Sequence, residues 1–426
     1  MDPHSYTHIF VLGLIFSFAD AYGIGANDVS NSFATSVSSG ALTLGQACFI
    51  AVFTEFAGAF FLGAKTADTI RSKIISVSLF ASNPGLLMLG MLCAVVGSAT
   101  WVIFATSRGW PVSSTHSITG AVLGMGIASH GFGSVNWGWS GIAKIIASWF
   151  ISPVVAGSIA AILFLLTKYL VLESKNSFER GLLAVPFFFF ITIFINVTFI
   201  LNNGIPGSTT KISFGKIVWI SAIAAGAVAI LSYIFYCTWL RRKIKNNEDL
   251  KWYHVFAAPF LGPMPQVPEP TQDLESNEKK GSDSASEELP PTTLIGKAKG
   301  FLFRGVNKEV RNLDNPKLAD MHARAKKYDS ETENLFQFVQ ILSACAASFA
   351  HGSNDVANAV GPLATIYQVW NTGAVPAAKS SVPAWILAFC AIGIDIGLVT
   401  YGYHIMRSLG NNMTYTTASR GFCAEL

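Results

Sequence analysis

The apolar residues of this chain lie in blocks of about 20, and that length governs what it can fold into. A soluble domain spreads its apolar residues with the period of a core-facing helix or strand; blocks this long match the ~30 Å of hydrocarbon that a helix must cross. Eight spans are read at roughly 8–24, 42–64, 86–107, 141–168, 182–201, 215–240, 335–351 and 384–406. A further, atypical segment, PVSSTHSITGAVLGMGIASHG, occupies 111–131. Composition agrees, since 51% hydrophobic and 13% charged residues leave too little charge to cover a soluble surface of 426 residues. The expected class is an all-α polytopic membrane protein, integral to a lipid bilayer. The first block, from near His8, has no basic n-region and no small-residue cleavage site, so it reads as a retained span. The cysteines (Cys48, Cys93, Cys237, Cys345, Cys390, Cys423) lack CxxC spacing and suit packing better than a disulfide framework or a zinc site.

Composition changes sharply between Arg241 and Asn334, where QVPEPTQDLESNEKKGSDSASEELPP lacks the apolar residues needed to fold. The chain therefore divides into a first membrane half (1–240), a hydrophilic and disordered loop (241–334) and the start of a second membrane half (335–426). The basic run RRKIK directly after a span places the loop in the cytoplasm by the positive-inside rule, and seven crossings then put the N-terminus outside. The stretch KTADTIRSK runs against that orientation. The loop carries 16 basic and 15 acidic residues, a near balance that argues against a nucleic-acid partner.

An internal repeat points to function. GANDVSNSF (25–33) and GSNDVANAV (352–360) share their glycine, both asparagines, the aspartate and the valine. Each follows an apolar block, and an odd number of crossings separates them, so the two enter the membrane from opposite sides. This is the pattern of an inverted repeat, which in transporters builds a substrate site from interrupted helices. The glycine permits a helix break that frees carbonyls. Asn27, Asp28 and Asn31, with Asn354, Asp355 and Asn358 in the second copy, supply oxygens suited to a small hard cation. Asn27 and Asn31 are four apart and share a face if the segment stays helical. A merely structural polar clamp between helices is the competing reading. The likeness continues in TEFAGAFFLG (54–63) and GIDIGLVTYG (393–402), whose glycines match and which carry Glu55 and Asp395. Either acid can balance a coupling cation or pair with Lys65 or Arg407.

PVSSTH reads as a helix start, with Pro111 in the first turn and Ser113, Ser114 and Thr115 presenting hydroxyls and backbone N–H groups. Such a terminus favours an anion, and several short donors on one turn suit a tetrahedral oxyanion. An ordinary Ser/Thr-rich cap is the bland alternative.

GANDVSNS, HGSNDVANAVGPL, PVSSTHSITG and SRGFCAEL together resemble the inorganic phosphate transporter family of cation-coupled symporters, across nearly all of the chain outside the loop. The overall run is closest to fungal sodium/phosphate symporters. The resemblance implies two inverted halves with re-entrant or broken helices and a plasma-membrane location. It implies phosphate held by Ser113, Ser114, Thr115, Asp28 and Asp355, and sodium at Asn27, Asp28, Asn31, Glu55, Asn354, Asp355 and Asn358. A second PxSST hairpin is expected beyond position 430, past Leu426, so the second repeat is expected to be incomplete; Glu425 aligns where the family has a functional acid. No cofactor is implied beyond the transported ion, and a homo-oligomer is compatible. Proton coupling through Glu55 or His116, and a non-transporting phosphate receptor signalling through the loop, are the alternatives. An intramembrane enzyme is disfavoured, because each NDxxN copy has a single carboxylate and Ser114 and His116 diverge on one turn.

Overall fold

The computed structural model describes residues 1–72, 74–203, 212–266, 316–376, 381–412 and 415–426. The first half runs through α1 (Thr7–Ile24), α2 (Ser30–Ser39), α3 (Leu44–Ser72), α4 (Pro84–Ser107) and α5 (Ser114–His130). Next come α6 (Ile142–Thr167), α7 (Ser177–Asn203) and α8 (Phe214–Leu231), the last continuing helically as far as Lys245. After α9 (Pro316–Arg324), the second half holds α10 (Ser330–Thr372), α11 (Ala384–Tyr401), α12 (Tyr403–Asn412) and α13 (Ala418–Glu425). Among the described residues, eight helical segments are long and apolar enough to cross a membrane, and each overlaps one of the expected blocks; the last, Ala384–Tyr401, stops short of 406. The atypical segment forms α5, too polar at its start to join them.

The helices do not break where the motif glycines predict. α1 passes through a π-helical turn, Gly25–Val29, into α2, and α10 runs unbroken for 43 residues through Gly352. Gly25 keeps helical dihedrals, φ −60° and ψ −42°. Its missing side chain serves close packing instead. A Cβ on Gly25 would run into the carbonyl oxygen of Ile394 on α11, and one on Gly397 into that of Tyr22 on α1. The same exchange joins α3 and α10, where a Cβ on Gly58 would meet the Phe349 carbonyl and one on Gly352 that of Glu55. Each motif helix therefore lies at backbone distance on the second glycine helix of the other half, the approach small residues permit between membrane helices.

Around these pairs sits a core of buried apolar residues, including Ile24, Phe33, Val356, Leu363 and Ile394. A second cluster joins α7 and α8 to the start of α10 through Phe188, Phe336 and Phe422, and a third joins α4 and α5 through Met88, Met91 and Ile118. α6 is peripheral, with 6% of its most apolar window buried against 56% for α4. Its exposed Phe150 and Val154 suit lipid.

The expected disordered loop is shorter than 241–334. Residues 246–266 fold back on the end of α8 because Arg242 serves as their hub. Its guanidinium donates to Glu248 Oε2 at 2.5 Å and to the carbonyls of Ala258, Leu261 and Gly262 at 2.6–2.8 Å. Arg242 holds the Glu248 carboxyl below its ordinary range. At the other end, Asp329 caps α10 by accepting from the Thr332 N–H at 2.9 Å. The low-complexity stretch 267–315 lies outside the described residues. All six cysteines are unpaired, four of them buried in packing positions.

Gly25→Ala and Gly397→Ala are expected to force α1 and α11 apart at a cost of about 1–3 kcal/mol, as inserting a methyl into a packed core does. Detergent melting reads this as an earlier transition. Gly157→Ala and Gly226→Ala, where an added Cβ meets nothing within 4 Å, leave the melt unchanged.

Candidate functional site

The N-terminus of α5 is where the two ND motifs meet. The chain enters it in extended form: Ser113 (φ −91°, ψ 118°) is the N-cap and accepts from the His116 N–H at 3.3 Å. Pro111 thus lies two residues before the cap, in the lead-in and not in the first turn. Asn27, buried in the π-turn, holds that lead-in. Its amide donates to Thr106 Oγ1 at 2.9 Å and to the Trp110 carbonyl at 3.0 Å, and its oxygen accepts from the Val112 N–H at 3.0 Å. Two of these bonds hold the lead-in to α5 and one ties it to the end of α4, so Asn27 positions the segment, with one lone pair of its oxygen left over.

Ser114 turns its N–H and hydroxyl toward Asp28. Thr115 Oγ1 donates to Asp355 Oδ1 at 3.2 Å, and the Asn358 amide donates to the hydroxyls of Ser114 at 3.1 Å and Thr115 at 3.0 Å. The expected anion donors and the expected cation ligands are therefore in contact. Asp28, Asp355 and His351 bring one ligand atom each within 4.8 Å of one another. Two ionised carboxylates this close repel by roughly 3–4 kcal/mol at an effective dielectric of about 20. Positive charge has to lie among them.

Part of it comes from His351, one helical turn before Asp355. Its Nδ1 sits 2.5 Å from Glu55 Oε1, and its Nε2 lies 2.9 Å from Asp355 Oδ2, an ion-pair distance without hydrogen-bond alignment. Glu55, fully buried, also accepts from Ser348 Oγ at 2.9 Å, which in turn accepts from Thr54 Oγ1. A polar chain thus runs from α3 through α10 to Thr115. The partner of Glu55 is His351 and not Lys65, whose ammonium reaches the Asn202 carbonyl. His351 is read from the sequence only as an intramembrane histidine that either titrates with transport or packs, not as a ligand, although HGSND places it four residues before the aspartate, on the same helical face.

The remaining expected ligands are dispersed. Asn31 and Asn354 are exposed and make no hydrogen bond among the described residues. Asn27 is buried in the π-turn while Asn31, at the start of α2, is exposed, so the two do not converge on one point. Asp395 stands one register away from the position matching Glu55, and its buried Oδ1 has no partner. His116 packs on Trp149, away from the acids. Glu425, on α13, lies apart from the ND centre, its carboxylate accepting from Thr35, Ser36 and Ser343.

The whole arrangement has known relatives. A model of the phosphate transporter family matches residues 24–426. The phosphate-repressible phosphate permease of Neurospora crassa is 37% identical over 515 residues, covering 100% of this chain and 87% of that protein. Sodium-dependent phosphate transporter 2 of Felis catus is 27% identical, covering 100% of this chain and 88% of its own length. A solved structure described as the sodium-dependent phosphate transporter superposes with a TM-score of 0.68 at 29% identity, over 98% of this chain and 82% of that one.

Asn27→Ala removes two hydrogen bonds from the lead-in to α5 and one from Thr106 at the end of α4, each with a net worth of about 0.5–1.5 kcal/mol. Amide exchange at Trp110–Ser114 is expected to speed up while the α3–α10 interface stays protected; unchanged exchange there would rule out the positioning role.

Proposed function

The chain belongs to the phosphate transporter family, and we propose that it is a symporter that carries inorganic phosphate with sodium across the plasma membrane. Membership makes it a transporter and not the intramembrane enzyme. One observation carries the sodium reading: the donors at the start of α5 face the carboxylates of Asp28 and Asp355. A phosphate on Ser113, Ser114 and Thr115 would bring one or two more negative charges to that point. His351 supplies at most one positive charge, already shared with Glu55 and Asp355. Small cations held between the carboxylates and the phosphate remove the deficit, and binding of either ligand then favours the other. Carboxylate, amide and hydroxyl oxygens are the ligands that sodium prefers. In this reading the residues that hold the ion are Asp28, Asp355 and Asn358, with Glu55 acting through His351. The end of α8 at RRKIK supports a cytoplasmic segment after it.

A proton-coupled variant is favoured by a specific feature, the Thr54–Ser348–Glu55–His351–Asp355 chain, which joins a buried acid to the site.

Labelled phosphate uptake into proteoliposomes separates the two. Uptake is expected to rise steeply with external sodium and to collapse in choline. Asp28→Asn and Asp355→Asn should each raise the sodium needed roughly tenfold or more, as the loss of about 1.4 kcal/mol of ion binding requires. Uptake that persists in choline and grows with external acidity would sink the sodium reading and assign coupling to Glu55 and His351.

A further inference from the structure

Eight residues before Asp28, near the middle of α1, stands another acid. Asp20 is fully buried, and neither of its carboxylate oxygens has a hydrogen-bond partner. Ser17, one turn earlier on the same face, is fully buried and its hydroxyl is also unpartnered. Ser98 on α4, 1% exposed, faces the Asp20 carboxylate from across the α1–α4 interface, again without hydrogen-bond geometry. From α11 the Cys390 thiol looks toward the same point. Four buried oxygens on α1 and α4, the Asp20 pair and the hydroxyls of Ser17 and Ser98, are thus left without a geometric hydrogen bond at one helix interface.

This arrangement is too costly to stand by itself. An unpaired hydroxyl or carboxyl oxygen buried in protein costs about 1–3 kcal/mol and a bare carboxylate several times more. Among the described residues no cationic side chain offsets it, for the charged group whose field reaches Asp20 is Asp28, a like charge. A proton on Asp20 would supply one donor and leave the other oxygens as they are. A small cation would use all four at once. We propose that Asp20, Ser17 and Ser98 form a second monovalent-cation site, separate from the ND centre and selective for sodium. About 12 Å of helix lies between Asp20 and Asp28, too far for one ion to serve both. The site belongs to the first half alone: five residues before the motif glycine stands Asp20 in one copy and Ala347 in the other, and Ser17 is matched by Ala344. Cys390 and Asp28 are the titratable groups that face it from α11 and from the π-turn.

The test is the count of ²²Na⁺ bound per polypeptide by the full chain in nanodiscs, at saturating sodium, with potassium as the competing ion. Asp20→Asn is expected to bind one ion fewer than the unsubstituted chain while still binding ³²P-phosphate at saturating sodium. The Ser17→Ala/Ser98→Ala pair, which keeps the acid and guards against a folding defect in Asp20→Asn, should weaken one class of sodium sites about tenfold. Equal counts for Asp20→Asn and the unsubstituted chain, or unchanged affinity in the serine pair, overturn the second site and leave Asp20 a protonated packing residue. Failure of the unsubstituted chain to bind ²²Na⁺ at all overturns this site and, separately, the sodium reading of the ND centre.

Discussion

Everything ionisable at the centre depends on two helix pairs approaching to backbone contact. With Gly58 beneath the Phe349 carbonyl and Gly352 beneath that of Glu55, α3 and α10 lie close enough for Glu55 to reach His351 across the interface. The α1–α11 pair makes the same exchange through Gly25 and Gly397, and so fixes where the π-turn presents Asn27 and Asp28. In hydrocarbon there is no hydrophobic drive between helices, so such contact rests on van der Waals fit and on interhelical polar bonds. Here both coincide. The glycines set the distance and the acids, hydroxyls and imidazole use it.

α5 is held by this frame from both sides. Asn27 grips its lead-in, and Asp355 and Asn358 grip its first turn. The two motif copies therefore do different work with the same residues: the first asparagine of one copy positions the hydroxyl segment, whereas the second asparagine of the other touches the hydroxyls themselves. A helix N-terminus facing carboxylates of its own protein is an anion site with competitors in place. Under the proposed symport, phosphate would gain those donors only when cations relieve the carboxylates, which would make binding of the two ligands interdependent.

Much of this was readable in the chain before its folding was known. Block lengths near 20 marked the spans, and two NDxxN copies marked the centre, because burying Asp and Asn in hydrocarbon is costly enough to need a reason. The polar start of 111–131 likewise announced α5. What the sequence obscured has a physical basis too. Glycine at 25 and 352 has two uses, a helix break or a close contact, and local sequence cannot choose between them; the carbonyls that decide lie more than 290 residues away in the chain. Asn27 is buried and Asn31 exposed because of which helices pack against each, and four-residue spacing alone does not reveal that. His351 was in plain view, but its importance comes from Glu55 on another helix. The segment 246–266 was grouped with the polar run that follows it because its hub, Arg242, reads as a topogenic charge.

The two halves share a backbone plan and differ in charge. At the position of His351 the first copy has Ile24, and at the position of Ala347 it has Asp20. A strictly symmetric pair would place equal fields on either side of α5 and give an ion no preferred side. With an imidazole between two carboxyl groups in one half and an unpartnered carboxyl group in the other, the two halves offer an ion different surroundings. A second ion at Asp20 would restore the balance that the repeat lacks, so the ion load of this protein follows from where its copies have diverged and not from the motif they share.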